Sequence, residues 1–190
     1  MKRVLVINAN PKTDSLTKSL ANQYTDSVNS QYEVKVIHIG DLDFTPDLKE
    51  GYQTIQQLEP DLVNTQALIS WAEHIVILSP VWWGTVPAKF KGLIDRTFLP
   101  GFAFKYEEGK AIPKKLLKGK TAEMIVTLDT PVFWYKYIQG NVIYKHLKRT
   151  VLDFSGIKNN RTTYFGPVIS SKHKDIEGWH EKVTRLAASI

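Results

Sequence analysis

The chain has 190 residues, of which 43% are apolar and 23% charged, with a formal net charge of +6 and no cysteine. This length suits a single domain spanning residues 1–190, and the absence of cysteine excludes disulfides, thiolate metal sites and thiol nucleophiles. No apolar stretch approaches the about 18 residues of a membrane span, and the lysines follow no RNA- or DNA-binding motif, so we expect no membrane span, no nucleic-acid partner and a cytoplasmic protein.

Five strand-like segments alternate with helical ones. The strands are predicted at residues 3–8, 33–39, 74–78, 121–128 and 157–165. The helices are predicted at residues 15–30, 60–71, 87–98, 131–154 and 176–188. The first, third and fourth strands are continuous apolar runs, which is typical of strands covered on both faces. The alternation predicts an α/β fold with a doubly wound, five-stranded parallel sheet in the order 2-1-3-4-5.

Two insertions interrupt this alternation. Residues 40–59 are polar and predict a loop with a short helix, whereas residues 102–110 alternate and then turn, which predicts a small hairpin or flap. Long loops in compact domains are usually functional or disordered, and we expect both to border a site or a partner subunit.

The loop after the first strand runs from Asn10 to Thr17 and leads into a predicted helix. It places the hydroxyl groups of Ser15 and Thr17, together with free backbone N–H groups, at a helix N-terminus, where phosphate binds well. The sequence contains neither GxGxxG nor GxxxxGK[ST], which argues against a dinucleotide Rossmann loop and a P-loop. Ordinary helix capping is the other interpretation of these hydroxyl groups.

The loop after the third strand carries two adjacent tryptophans, Trp82 and Trp83, and the chain restarts as a helix at Pro87. Open α/β sheets bind ligands at the carboxyl ends of their strands, where this loop lies. Two indoles at such a place indicate a flat aromatic ligand, although core packing is the alternative for each of them.

The fourth strand ends in the polar turn Thr127–Pro131, followed by three aromatic residues at 133–135. In a 2-1-3-4-5 sheet the ends of strands one, three and four lie side by side. A flavin would suit that crevice, with its phosphate at the first loop, its isoalloxazine on the second, and its pyrimidine edge on backbone groups of the second and third.

These residues carry a family resemblance. Through Pro80–Ala88, Lys91–Arg96, Gly101–Phe104 and the Asn10–Thr17 loop, the chain resembles the NAD(P)H:quinone oxidoreductase family of flavodoxin-like fold. That family includes the quinone reductases and, more distantly, the FMN-dependent azoreductases. The resemblance covers the chain to about Tyr135.

The resemblance implies a bound flavin, FMN with FAD as the alternative, and NAD(P)H as electron donor. The residues it implies for the flavin are Asn10, Ser15, Leu16, Thr17, Pro80, Val81, Trp82, Trp83, Gly84, Thr127, Leu128, Asp129 and Thr130. It further implies a homodimer, in which we expect Phe102, Phe104 and Trp134 of the partner to cover the flavin and its substrate.

Two departures from the family concern catalysis. Quinone reductases carry a tyrosine and, shortly after it, a histidine beside the flavin; Tyr135 matches the first, but Asn141 stands at the second position. The family's Gly-Gly pair after strand four is also replaced, by Asp129-Thr130. Tyr135 and Asn141 are therefore the candidate catalytic residues. The five histidines have no ligand spacing, so we expect no metal site.

The predicted function is a flavin-dependent NAD(P)H oxidoreductase that reduces quinones, or nitro or azo compounds, by two-electron hydride transfer in a ping-pong cycle. A one-electron carrier of the flavodoxin type is one alternative, although a pI near 9.3 argues against it, since such carriers tend to be acidic. A flavin-binding regulatory subunit of a membrane transporter is the other, and the basic segment Lys145–Arg149 leaves room for it.

Overall fold

The computed structural model describes residues 2–190. Its strands, in chain order, are β1 (Arg3–Asn8), β2 (Glu33–His38), β3 (His74–Pro80), β4 (Phe104–Lys105), β5 (Lys114–Lys115), β6 (Thr121–Thr127) and β7 (Lys158–Phe165). Five of them form one parallel sheet in the order β2-β1-β3-β6-β7. Counting only the strands of this sheet, the order is 2-1-3-4-5, so the predicted fold class is confirmed.

The helices are α1 (Leu16–Ser27), α2 (Pro60–Trp71), α3 (Ala88–Thr97), α4 (Val132–Tyr137), α5 (residues 142–155) and α6 (His173–Ala187). Helix α5 is α-helical at its two ends and has π-helical hydrogen bonding at Lys145–Leu152. The predicted range of the second helix, 60–71, agrees with α2 at both ends. The first predicted helix ends earlier, at Ser27, and the last begins earlier, at His173. The strand predictions agree to within two residues at each end.

Alternate residues of the inner strands face two separate hydrophobic cores. In β1, Val4 and Val6 pack with residues of α1 and α6, whereas Leu5 and Ile7 pack with residues of α2, α3 and α5. Both faces of the sheet are therefore covered by helices, as continuous apolar strands require.

The prediction of a single helix over residues 131–154 was wrong, because the region contains two helices with a break between α4 and α5. Gly140 and Asn141 have φ values of 80° and 52°, in the left-handed region that a right-handed helix cannot contain. The chain then restarts as α5. Helix α5 ends before Gly156, whose φ of 96° is the left-handed conformation common just after a helix.

The insertion at residues 40–59 is held against α3 by Arg96. This buried guanidinium donates to the carbonyls of Thr45 and Gln57, at 2.5 and 2.7 Å, and forms an ion pair with Glu59 at 2.8 Å. A Cβ at position 92 would collide with Pro46, so only Gly92 allows the insertion to lie this close. The short helix is a 3₁₀ turn at Ile39–Asp41.

The second insertion forms a small hairpin, as predicted, but a longer one than expected. Strand β4 pairs antiparallel with β5, whose residues lie beyond the predicted range of 102–110.

No helix among residues 2–190 has the length and apolar character needed to cross a bilayer.

Candidate functional site

A cleft of about 550 Å³ opens where β3 and β6 end side by side. Its walls come from the loop after β3, the turn after β6, and the region around the helix break. The lining residues are Val81, Trp83, Gly84, Leu128, Asp129, Thr130, Tyr135, Gln139 and Val142. This is the carboxyl edge of the sheet, where the open α/β architecture binds ligands.

The loop after β3 is a tight turn that presents an indole to solvent. The N–H groups of Trp82 and Thr85 donate to each other's carbonyls at 2.9 and 3.0 Å. The two residues between them, Trp83 and Gly84, have φ values of 48° and 84°, as in a type I′ turn. A left-handed conformation at a residue other than glycine costs about 1 kcal/mol or more. Trp83 is nevertheless fully exposed, at 104% of its reference area.

In the loop after β3 and the turn after β6, four residues that line the cleft have backbone N–H groups without a hydrogen-bond acceptor among residues 2–190: Trp83, Gly84, Asp129 and Thr130. The neighbouring N–H groups of Val81 and Leu128 are used inside the fold, because they donate to the carbonyls of Thr127 and Phe165. The cleft therefore offers several fixed donors beside a large aromatic side chain, which suits a flat ligand rich in acceptors.

Tyr135 ties the two sides of the cleft together. Its buried hydroxyl donates to the carbonyl of Gly84 at 2.8 Å and accepts from the N–H of Ile143 at 2.9 Å. Burial raises the pKa of this phenol, although the Ile143 N–H lowers it somewhat. Because the hydroxyl proton is committed to Gly84, the geometry indicates a role in holding the turn after β3 against α5.

Asn141, the second predicted catalytic residue, does not line the cleft. Its side-chain oxygen accepts a hydrogen bond from the hydroxyl of Tyr164 at 2.7 Å, and its left-handed backbone joins α4 to α5. Burial raises the pKa of Tyr164 to about 12, so this phenol stays protonated and keeps donating. The pair stabilises the helix break beside the cleft.

The loop after β1 is shaped by two asparagines. The side-chain oxygens of Asn8 and Asn10 accept from the N–H groups two residues later, at 3.2 and 3.1 Å. Asn10 also contacts Thr17, whose hydroxyl lies 3.3 Å from that of Thr127 at the end of β6. Asn10, Thr17 and Thr127 are buried, so their side chains fix the loop to the sheet edge.

The N-terminus of α1 follows this loop and retains free donors. The hydroxyl of Ser15 caps the helix by accepting from the Lys18 N–H at 3.2 Å. The N–H groups of Leu16 and Thr17 have no acceptor among residues 2–190. These donors and the positive end of the helix dipole favour an anion such as phosphate.

The predicted flavin residues thus fall into three groups. Six line the cleft, namely Val81, Trp83, Gly84, Leu128, Asp129 and Thr130, and Ser15, Leu16 and Thr17 lie at the N-terminus of α1. The other four do not line the cleft, namely Asn10, Pro80, Trp82 and Thr127. Two lining residues, Gln139 and Val142, were not predicted, because the sequence pattern placed them inside a continuous helix.

The three predicted lid residues lie outside the cleft of their own subunit. Phe102 packs edge-to-face on Phe98, and Phe104 packs edge-to-face on Phe154 with ring centroids 4.9 Å apart. Trp134 is half-exposed on α4. Within one chain none of the three lines the cleft.

Comparison with protein families gives one match over nearly the whole chain. A family model described as flavodoxin-like fold matches residues 2–188.

Two curated proteins are similar in sequence to this chain over most of their length. An uncharacterized NAD(P)H oxidoreductase of Haemophilus influenzae is 28% identical over 171 residues, covering 86% of this chain and 83% of that protein. An FMN-dependent NADH:quinone oxidoreductase of Caldicellulosiruptor bescii is 28% identical over 196 residues, covering 94% and 90%.

Solved structures agree with the fold. Smu.1420 of Streptococcus mutans superposes with a TM-score of 0.80 at 23% identity, with all of both chains covered. An FMN-dependent NADH-azoreductase of Bacillus anthracis, crystallised with FMN, superposes with a TM-score of 0.71 at 21% identity, with 98% of each chain covered.

Proposed function

The chain belongs to the family of flavodoxin-like fold, and from that premise we propose that it is a flavin-dependent NAD(P)H oxidoreductase that reduces quinones, and also nitro or azo compounds, by two electrons. The observation that carries the proposal is the cleft at the sheet edge, where four free backbone N–H groups stand beside the exposed indole of Trp83. The names of the relatives, among them the FMN-dependent quinone oxidoreductase, support the same activity.

The donors of the site match the parts of FMN. The free N–H groups at Leu16 and Thr17 suit the phosphate, and those at Gly84, Asp129 and Thr130 suit the carbonyl and nitrogen acceptors of the ring system. The indole of Trp83 gives an aromatic wall, on which a flat ring system stacks. We therefore propose FMN, with residues 1–190 as one flavin-binding domain. Bound flavin supplies the hydride chemistry, and the protein supplies binding and orientation.

The shape of the cleft suits two substrates that bind one after the other. Trp83 and the turn after β6 leave one open face, so the nicotinamide and the acceptor would occupy the same place successively, in a ping-pong cycle. With flavin bound, the hydrogen-bonded turn would hold each substrate in one orientation, which removes much of the entropic cost of orientation. The net charge of +6 helps to gather an anionic dinucleotide from solution.

We propose that the working form is a homodimer, whose second copy covers the cleft. Helix α4 and the residues after it expose an unusual number of large apolar side chains: Phe133, Trp134, Tyr137, Ile138 and Val142. Of these, Val142 lines the cleft together with Trp83. Large exposed apolar patches on this scale mark protein interfaces. A second copy is the fitting partner, because the candidate lid residues do not line the cleft of their own chain.

The activity is tested by steady-state oxidation of NADH and NADPH with menadione as acceptor. We expect turnover with parallel lines in double-reciprocal plots, and Trp83→Ala to lose FMN on dialysis. Ile55→Ala, which removes a similarly exposed apolar side chain from the 40–59 insertion, should behave as wild type. No turnover above free FMN would contradict the proposal and favour a carrier or a regulatory subunit.

The dimer is tested by analytical ultracentrifugation of the wild type and of the double variant Phe133→Ser/Tyr137→Ser. We expect a dimer for the wild type and a monomer with an open, poorly active site for the variant. A monomeric wild type with full activity would contradict the proposed assembly while leaving the proposed activity in place.

A further inference from the structure

The cleft differs in charge from the rest of the chain. The sequence carries 25 lysines and arginines against 19 aspartates and glutamates, which gives a net charge of +6. Among residues 2–190, however, the one charged residue that lines the cleft is an acid, Asp129 in the turn after β6. Lys136 and Lys145 lie close to the helix break, but neither of them lines the cleft. The lining of the cleft therefore has one negative charge and no positive one.

The carboxylate of Asp129 is held by the backbone. Its Oδ1 accepts a hydrogen bond from the N–H group of Ile169, in the segment after β7, at 2.9 Å. No basic side chain among residues 2–190 forms an ion pair with it. The ammonium group of Lys136 lies instead over the rings of Tyr137 and Tyr164, at 5.6 and 5.3 Å from their centroids. The charge of Asp129 is therefore positioned but not neutralised.

The same residue can contact a ligand through its backbone. The N–H group of Asp129 is one of the free donors beside the cleft. A ligand acceptor bound by this N–H lies within about 7 Å of the carboxylate, because one Cα and one Cβ join the two groups. That distance is shorter than the Debye length of about 8 Å at physiological ionic strength. A negative charge on the acceptor would therefore be repelled.

Two-electron reduction places such a charge on a flavin, and in this respect the inference rests on the proposed function. NAD(P)H transfers a hydride, which is two electrons and one proton, to N5 of the oxidised ring and leaves as NAD(P)⁺. The ring was neutral and now carries one negative charge, shared by N1 and the C2 carbonyl oxygen, until N1 takes a proton from water. Backbone N–H donors favour the charged form, and a nearby carboxylate disfavours it.

We propose that Asp129 lowers the reduction potential of the bound FMN. Its carboxylate repels the reduced ring much more than the neutral oxidised ring, so reduced FMN binds less tightly than it would beside an uncharged residue. The phosphate carries its charge in both states, so its interaction with Asp129 cancels when the two affinities are compared. By linkage, weaker binding of the reduced form is a lower reduction potential. The bound flavin is then a stronger reductant toward a quinone.

The test compares the Kd of FMN for the oxidised protein with the Kd under argon after reduction by dithionite. Asp129→Asn removes the charge and keeps a side-chain oxygen for the N–H of Ile169. We expect this variant to bind reduced FMN about threefold to tenfold more tightly than the wild type, and oxidised FMN within twofold. For a two-electron couple that gain raises the potential by about 15–30 mV, which equilibration with a reference dye measures independently.

Two further variants isolate the charge at this position. Asp129→Glu keeps the charge and should keep the ratio of the two Kd values close to that of the wild type. Asp26→Asn removes an exposed carboxylate near the C-terminal end of α1, at the other end of the sheet, and should leave both Kd values unchanged. An unchanged ratio in Asp129→Asn, or an equal change in Asp26→Asn, would overturn the inference.

Turnover of NADH with menadione, measured on the same wild-type sample, separates this inference from the proposed function. Turnover together with an unchanged ratio in Asp129→Asn sinks only the role of Asp129. The expected change of ratio without turnover sinks only the proposed activity. A wild type that binds FMN in neither state sinks both.

Discussion

The two ends of the central sheet differ in whether their polar groups have hydrogen-bond partners. At the amino ends of the strands, a buried cluster of charged and polar side chains is paired internally. At the carboxyl ends, backbone donors are left free beside an exposed indole in a left-handed conformation. Paired groups stabilise the fold, and unpaired ones are available to a ligand, so the contrast locates the stabilising end and the binding end of the same sheet.

The paired end is organised by Glu123 of β6, which is 1% exposed. Its carboxylate accepts hydrogen bonds from Tyr24 of α1 and Arg161 of β7, and His74 of β3 lies 3.9 Å away. Arg161 also donates to the carbonyl of Leu186 near the end of α6 and to the hydroxyl of Ser189 at 2.6 Å. The cluster thus joins three strands and two helices.

The largest expected effect comes from breaking this cluster. Glu123→Ala leaves the Arg161 guanidinium and the Tyr24 hydroxyl without their partner, and breaking one side of a buried ion pair costs about 3–5 kcal/mol. Equilibrium urea unfolding should show that loss. FMN affinity of the folded variant should stay within twofold of the wild type, because the cleft lies at the other end. A loss below about 1 kcal/mol would contradict the assigned role.

The same cluster predicts an acid-dependent stability. Burial alone would raise the pKa of Glu123, but the nearby His74 and the hydrogen bonds from Arg161 and Tyr24 outweigh it, and the pKa lies below its usual value of 4.5. A carboxylate of this kind stabilises the fold fully above pH 4.5, and its contribution is lost as the pH falls through the folded-state pKa. The stability difference between wild type and Glu123→Gln should therefore shrink between pH 5 and pH 3; a difference that is constant over this range would exclude the mechanism.

A smaller effect is expected from Tyr135→Phe, which removes the bond between the two sides of the cleft. The Gly84 carbonyl and the Ile143 N–H lose their shared partner, which should cost about 1–2 kcal/mol in urea unfolding. FMN affinity, measured by fluorescence quenching, should fall about threefold to tenfold because the turn is less fixed. Tyr164→Phe serves as the matched control, since its hydroxyl holds Asn141 rather than the turn. Unchanged affinity in Tyr135→Phe would argue against the positioning role.

The smallest stability change should have the opposite sign. Trp83→Gly relieves the left-handed conformation at φ 48° and removes no buried side chain, so the free energy of unfolding should rise by about 0.5–1 kcal/mol. FMN affinity should fall at least tenfold in the same variant because the stacking surface is gone. Destabilisation, or full FMN affinity, would show that Trp83 is not strained for binding.

Sequence alone predicted the sheet and most of its loops, because apolar strand runs and helix signals are local. It did not predict the break between α4 and α5, since the apolar pattern continues across Gly140 and Asn141 and their left-handed conformations depend on contacts with Tyr135 and Tyr164. Gln139 and Val142 were missed as lining residues for the same reason.

The segment Lys91–Arg96, which carries part of the family resemblance, also has a structural role that the sequence pattern does not show. Gly92 and Arg96 belong to the motif that supported a flavin site, yet they hold the 40–59 insertion in place. Likewise, Tyr135 was expected to act on the flavin, and its hydroxyl is committed to Gly84 and Ile143. Which partner a side chain takes is decided by tertiary packing, and a single sequence does not show it.

The most direct test of the central claim is to identify the molecule released by heat from the purified protein. We expect FMN by mass spectrometry, at about one per chain in the wild type and in Glu123→Gln, and much less in Trp83→Gly. A wild type that retains no flavin after incubation with excess FMN and gel filtration, or a Trp83→Gly variant that retains as much as the wild type, would contradict the assignment of the cleft.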